Sequence, residues 1–396
     1  PDACIADAAV PAPRAGSGPL DTPDSHVVEA EVTRLTAARR EESVIHCREA
    51  SVLTSEEKQR FDGFLRENGL SEDIFLYFES LVGLSTEDDR FLFVKVLSGD
   101  ELVGLAMFAR IAGHSLYGSL NSRLRRYAFL ERLGGAMRST VYFSMHSVSS
   151  PGLPRSFLYT DACLEDAVNE AILSWAKQKR DADTVIIFDA AQASEVYARN
   201  SFECLPFSSD SWIDVTRYEK VEDYLSLHKP TRKKLSRFRR RRNVEVETLR
   251  GSVPEETMKG IVACLMCSYR HSKGLLPIQE FFNANLLRTA LFESDRFIHF
   301  VIRVDGQVAG FSTRLLCGKT VVGIIGGYDR ELPGKLPVYD LMIATTLDFC
   351  IRNGYTRLVY GLVDNYTKAR LMDSFREQKF YAYSRSPVLR LVMKRA

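Results

Sequence analysis

The stretch Asp89-Arg90-Phe91-Leu92-Phe93-Val94-Lys95-Val96 runs through the turn Gly99-Asp100 into Glu101-Leu102-Val103-Gly104, and it has a twin. Asp295-Arg296-Phe297-Ile298-His299-Phe300-Val301-Ile302 runs through Asp305-Gly306 into Gln307-Val308-Ala309-Gly310. The two align without a gap from a shared Asp-Arg-Phe to a shared Gly. Each is a strand rich in β-branched and aromatic residues, then a tight glycine-containing turn, then a second strand, which is the signature of a hairpin. Such self-similarity predicts two copies of one supersecondary plan.

A second correspondence follows in the same order. Residues 167–179 read as a helix, with Ala171, Ile172, Trp175 and Ala176 at helical spacing, followed by the strand Thr184-Val185-Ile186-Ile187-Phe188. Residues 341–352 read as a helix, turned by Asn353-Gly354 into the strand Thr356-Arg357-Leu358-Val359-Tyr360. A short helix and a further strand follow in each copy, near Phe202 and Phe380. Both halves therefore read hairpin, strand, helix, strand, helix, strand, the plan of a mixed α/β layered sheet. The boundary is expected between Asp214 and Tyr218, giving domains at 44–217 and 218–396. Upstream, residues 1–43 are expected to form a disordered or loosely attached tail. As far as about Ala30 that segment is rich in Ala, Pro, Asp and Ser, with too little apolar surface to offset the entropy of ordering. Opening helices fit the same plan. Thr54-Ser55-Glu56-Glu57 has the spacing of a capping box, with Phe61, Phe64 and Leu65 on one face of the helix it starts. Met258, Ile261, Val262, Leu265 and Tyr269 fall on one face of another.

Composition narrows the function classes. The chain has 396 residues, 45% of them hydrophobic and 26% charged, as in ordinary globular proteins. No run approaches the roughly 18 to 20 apolar residues of a membrane span. The net charge of +2 is too small for the whole surface to bind a polyanion, so phosphate recognition must come from a local concentration of charge. The eight cysteines are scattered without a disulfide framework, which fits a reducing, cytoplasmic setting. Cys264 and Cys267 form a lone CxxC with His271 nearby. It lacks a fourth ligand, and no metal site is expected. The Ser elbow, Walker loop, HExxH and GxGxxG patterns are all missing. His299 lies inside a strand, where a satisfied core role is expected.

The local charge is found at Lys229-Pro230-Thr231-Arg232-Lys233-Lys234-Leu235-Ser236-Arg237-Phe238-Arg239-Arg240-Arg241-Arg242, where nine of fourteen residues are basic. Pro230 suits the first turn of a helix. Leu235 and Phe238 lie three apart, so one apolar edge can dock while arginines point outward. The segment reads as a solvated helix or a nuclear-import-like run, or else as a platform for the phosphates of a nucleotide, coenzyme A or RNA.

From this point the sequence resembles the CelD-like acetyltransferase family, part of the GNAT superfamily and related to the Fem-type peptidoglycan aminoacyltransferases. The resemblance starts at Tyr224-Leu225-Ser226-Leu227 and Thr231-Arg232-Lys233-Lys234-Leu235. It continues through Val308-Ala309-Gly310, Gly326-Gly327-Tyr328-Asp329 and Tyr339-Asp340-Leu341, and ends at Tyr360-Gly361 and Tyr366-Thr367-Lys368. It covers roughly residues 224–380. Fem-type proteins contain two GNAT-like halves, so the resemblance and the repeat together imply two tandem GNAT-like domains, the first degenerate and the second an acyltransferase. One departure stands out. Acetyl-CoA enzymes of this superfamily hold the pyrophosphate on a Gln/Arg-x-x-Gly-x-Gly/Ala turn, whereas here the equivalent place reads Pro333-Gly334-Lys335-Leu336-Pro337. Pro337 removes a backbone donor where donors are wanted. The donor is therefore left open between acyl-CoA and aminoacyl-tRNA, each a co-substrate, with no permanently bound cofactor. The acceptor would be a small-molecule amine, and tRNA a partner if it carries the acyl group.

Acyl transfer to an amine needs the reactants aligned, the amine deprotonated and the carbonyl polarised. Candidates for this chemistry lie where second-copy strands end: Tyr328 and Asp329 after the glycine-rich strand, and Tyr339 and Asp340 at the start of the next helix. Candidate substrate-binding residues are Gly334, Lys335 and Lys368, together with Asp364 and the basic-helix side chains Arg232, Lys233 and Arg237. Lys368 also matches the family's late lysine. The alternative is a non-catalytic GNAT-like module that binds RNA or a nucleotide.

Overall fold

The structure is a computed structural model and describes residues 45–87, 90–114, 139–144, 153–182, 184–270, 294–332, 337–363 and 370–387, with 390 and 394. Gly334, Lys335, Asp364, Lys368 and His271 lie outside the described residues, as does the tail before Val44. The chain from Ile45 onward forms one compact unit.

The first half contributes β1 (Ile45–Ala50), α1 (Ser55–Gln59), α2 (Asp62–Glu67), α3 (Ile74–Val82), β2 (Arg90–Ser98), β3 (Glu101–His114), β4 (Ser139–Ser144), β5 (Phe157–Tyr159), α4 (Glu165–Gln178), β6 (Thr184–Ala190), α5 (Ser194–Arg199) and β7 (Glu203–Asp214). The second contributes α6 (Val221–Leu227), α7 (Lys229–Arg241), β8 (Val244–Arg250), α8 (Glu255–Arg270), β9 (Phe297–Val304), β10 (Gln307–Cys317), β11 (Thr320–Tyr328), α9 (Val338–Arg352), β12 (Arg357–Val363) and β13 (Ser374–Ser384). The two repeated hairpins are β2–β3 and β9–β10, turned at Gly99 and at Asp305-Gly306, where positive φ angles of 61°, 51° and 84° make the reversal.

All the described strands join one sheet in the order β1-β2-β3-β4-β6-β13-β7-β12-β11-β10-β9-β8, with β5 branching from β3. The order is palindromic. Exchanging each strand of one half for its counterpart in the other returns the same list reversed, so a pseudo-twofold passes between β13 and β7. Each half contains one parallel pair, β4 with β6 and β11 with β12. The last strand of each half crosses over: β7 pairs with β12 and β13, while β13 pairs with β6 and β7. Without this exchange β6 and β12 would be bare edges, each offering a row of unpaired backbone groups.

Helices cover both faces. On one, α1–α3 and α8 bury Phe61, Phe75, Phe78, Phe93, Leu265, Phe297, Phe311 and Phe380 in a core that runs across both halves. On the other, α4 and α5 cover the first half with Val168, Ile172, Trp175 and Tyr197, while α6, α7 and α9 cover the second. The halves also lock through the α2–α3 turn. Thr320 Oγ1 donates to Gly69 O at 2.8 Å, and Ser71 N–H donates to Cys317 Sγ at 3.3 Å.

Local expectations meet three corrections. The capping box at Thr54 is present, with Thr54 N–H donating to Glu57 Oε2 at 2.8 Å and Glu57 N–H to Thr54 Oγ1 at 3.2 Å. The helix it starts ends at Gln59, however, and Phe64 and Leu65 belong to α2, with buried Phe61 at the break. Val262 is 40% exposed and so leaves the buried face of α8 that Ile261 and Leu265 define. Leu158 and its neighbours form a short strand beside β3 that periodicity did not reveal.

Because β7 lies wholly among strands of the other half, a fragment of residues 45–217 expressed alone should be protease-sensitive and lack a cooperative thermal transition. Co-expression with residues 218–396 should restore both protease resistance and a single transition.

Candidate active site

The parallel pair of the second half is short. Thr320, Val321 and Val322 align with Arg357, Leu358 and Val359, after which β11 follows β10 and β12 follows β7. Two bulges bracket the parting point. On β11 the register jumps from Arg314↔Gly323 to Thr313↔Ile325, leaving Ile324 extra. On β12 it jumps from Val359↔Trp212 to Gly361↔Ser211, leaving Tyr360 extra. Gly361 makes the second bulge possible with a φ of 69°, and Ser211 Oγ donates to its carbonyl at 2.9 Å. The result is a wedge that opens toward the C-terminal ends of β11 and β12, where Gly326 is exposed.

Arg314 of β10 and Tyr360 of β12 meet at the base of this wedge. The guanidinium carbon stands 4.1 Å from the centre of the Tyr360 ring. It reaches there across Gly323, where a Cβ would overlap Arg314 Nη1 and lie 2.9 Å from Val359 O. Burial pushes the Tyr360 phenol up, against the opposing pull of Arg314, so the ring stays neutral and presents its face to the cation. Tyr339 packs beside Tyr360, its ring centre 6.4 Å away in an edge-on arrangement.

The four candidate catalytic residues occupy the end of β11 and the start of α9. Ser268 of α8 ties down Tyr328, accepting from its N–H at 2.9 Å and donating to its carbonyl at 3.1 Å. Asp329 Oδ1 accepts from Glu331 N–H at 2.8 Å and from the Cys267 thiol at 3.4 Å. Asp340 is buried in the first turn of α9, where its charge suits the helix dipole, and Lys234 Nζ approaches its Oδ2 to 2.9 Å. This pair pins α7 to α9, aided by Leu235 and Phe238 packed with Val338, Leu341 and Met342. Arg232, Lys233 and Arg237 are exposed on the outer side of α7, and Pro230 lies in its first turn. Cys264 is buried in α8 with its thiol pushed up to about 12, chiefly by burial, so it stays protonated. His299 is buried, its Nδ1 2.9 Å from Thr313 Oγ1.

The corresponding wedge of the first half, between β4 and β6, is filled. Ser144 Oγ, at the end of β4, accepts from Phe188 N–H at 3.1 Å and lies 3.2 Å from Ser156 Oγ, which donates to the Phe188 carbonyl. Fully buried Asp189 accepts from Arg155 Nε at 3.2 Å, Ser156 N–H at 3.1 Å and Tyr197 OH at 2.8 Å. Arg155 also pairs with Glu165. Burial alone would lower the Arg155 guanidinium, but Asp189 and Glu165 more than offset it.

Sequence reasoning missed Arg314, Gly323 and the role of Tyr360. The available signal was an arginine inside the apolar strand Phe311-Ser312-Thr313-Arg314-Leu315-Leu316-Cys317, where a charge demands a reason.

Residues 226–368 match the family model described as an acetyltransferase (GNAT) domain. Two solved structures of similar fold span nearly the whole chain. The crystal structure of FemX gives a TM-score of 0.53 at 12% identity, covering 87% of this chain and 100% of that one. A tandem GNAT protein from the clavulanic acid biosynthesis pathway gives 0.51 at 11% identity, covering 87% and 99%. No curated protein matches the sequence. Residues 226–368 thus resemble a GNAT acetyltransferase domain, and the fold of the chain is similar to those of FemX and of the tandem GNAT protein. Among the described residues no helix is long and apolar enough to cross a membrane, and no cluster of metal-ligating side chains occurs.

Two stability outcomes follow. Asp189→Ala leaves Arg155 poorly compensated and should cost roughly 3–5 kcal/mol in urea unfolding. Gly323→Ala forces Arg314 aside and should cost about 1–3 kcal/mol in the same measurement, with the urea dependence of stability unchanged.

Proposed function

We propose that the protein transfers an acyl or aminoacyl group from an activated donor, acyl-CoA or aminoacyl-tRNA, to the amine of a small acceptor, and that the reaction takes place in the β11/β12 wedge. The observation that carries this reading is the contrast between the halves. The first wedge is filled by Ser156 and the Arg155–Asp189 network, whereas the second parts between two bulges beside partly exposed Gly323 and Ile324.

In this reading the amine nitrogen attacks the donor carbonyl carbon while Asp329 accepts its proton, and Asp329 returns that proton to the sulfur or ribose oxygen as the bond from it to the carbonyl carbon breaks. Backbone groups at the Ile324 bulge orient the carbonyl, since bulges re-aim ladder donors out of the sheet. Tyr328 and Tyr339 flank the path of the acceptor. Asp340 acts by holding α7 in place rather than by taking a proton, because its carboxylate is committed to Lys234. Donor phosphates extend across the basic face of α7, and Gly334, Lys335, Asp364 and Lys368 remain the sequence's further candidates for substrate binding.

The reading is tested by incubating the purified protein and amine acceptors with labelled acetyl-CoA, longer acyl-CoAs and aminoacyl-tRNA. Transfer from one donor class is expected, and Lys368→Ala should reduce it. The triple variant Arg232→Gln, Lys233→Gln, Arg237→Gln should remain folded, bind that donor more weakly and flatten its salt dependence. A tRNA donor should give a steep fall of affinity with salt and coenzyme A a shallow one. Binding of RNA with no transfer from any donor would leave a recognition module in place of an enzyme.

A further inference from the structure

Arg314 is 4% exposed, and its Nε is buried without a hydrogen-bond partner among the described residues. No carboxylate among those residues forms an ion pair with it. Among the described residues its close partner is the face of Tyr360. An aromatic face returns only part of what a cation loses on leaving water, and buried charges are ordinarily paired. The other wedge shows what pairing looks like in this fold, since Arg155 enters it together with Asp189 and Glu165.

The position of Arg314 is also built for contact. Gly323 lacks the side chain that would displace the guanidinium, and the Ile324 and Tyr360 bulges open the sheet immediately beyond it. A ligand entering beside Gly323 and Ile324 meets the planar fork of an arginine that lies over a tyrosine ring. That arrangement suits an oxyanion that takes two parallel hydrogen bonds.

From this geometry we infer that Arg314 is an anion receptor at the base of the β11/β12 wedge, and that one substrate carries a carboxylate or phosphate close to its reacting group. The inference rests on the wedge being the acyl-transfer site, but anion binding there can be read without turnover. The counter-charge that the described residues lack is thus supplied by the substrate, which neutralises Arg314 when the wedge is filled.

The test uses the full chain labelled with 15N at arginine, with the Arg314 Nε–H signal assigned by its loss in Arg314→Lys. Inorganic phosphate and acetate are titrated separately. The expected result is a saturable shift of that signal with at least one of the two anions. A preference for phosphate assigns a phosphorylated substrate, and a preference for acetate a carboxylated one. Arg314→Lys keeps the charge but loses the fork, and should weaken the anion-induced rise in Tm at least about tenfold in apparent affinity. If neither anion moves the Arg314 signal, or if parent and Arg314→Lys respond equally, the inference is overturned. The same holds if the signal responds only in Asp364→Asn, since Asp364 would then already fill the place. Should the anion bind while no acyl donor is turned over, the receptor stands and the acyl-transfer reading falls.

Discussion

The antiparallel pairing of β13 with β7 holds the sheet together, and each strand reaches that place by leaving its own half. A parallel pair such as β11 and β12 can part only if both strands keep partners on their far sides, or backbone groups are left unsatisfied. β10 supplies that partner for β11. β7, arriving from the first half, supplies it for β12. The wedge therefore exists because the strand exchange lets two neighbours separate without loss of their outer hydrogen bonds. The bulges at Ile324 and Tyr360 then set how abruptly they separate and which side chains turn into the gap.

The two halves use one architecture for different ends. In the first, the gap between β4 and β6 is occupied by short hydroxyl side chains and an acid–base network that satisfies its own charges, so it behaves as ordinary core. In the second, the Arg314 guanidinium stands against the neutral ring of Tyr360. The difference is one of charge closure: Arg155 pairs with two carboxylates, whereas no carboxylate among the described residues pairs with Arg314. The basic helix belongs to the same division of labour. Leu235 and Phe238 anchor it, Lys234 ties it to Asp340, and Arg232, Lys233 and Arg237 are exposed.

Much of the fold was legible because repeated hairpins have strong local rules. Asp-Arg-Phe followed by β-branched residues and a glycine turn fixes strand, reversal and strand within sixteen residues, and two such copies imply one plan twice. The crossing of β7 and β13 was not legible, since nothing local distinguishes a strand that pairs within its own half from one that pairs across. The site divides in the same way. Tyr328, Asp329, Tyr339 and Asp340 were reached through strand and helix ends, which pattern reading locates well. Asp340 then proved to be tied to Lys234, a partner 106 residues away in sequence. Arg314 and Gly323 matter because a bulge brings a long side chain over a residue that has none. Register shifts of that kind depend on tertiary pairing and leave little mark in composition or periodicity.

The palindromic strand order also bears on ancestry. A single half ending at its last strand would have a parallel pair to cover and a strand with no neighbours of its own, and two identical copies could resolve both problems by trading strands. The present chain has the geometry of such a symmetric pair joined end to end at Val215–Arg217. In a homodimer every substitution appears in both clefts at once. In a single chain that restriction is lifted: each cleft can change alone, and here one is a filled core while the other is open.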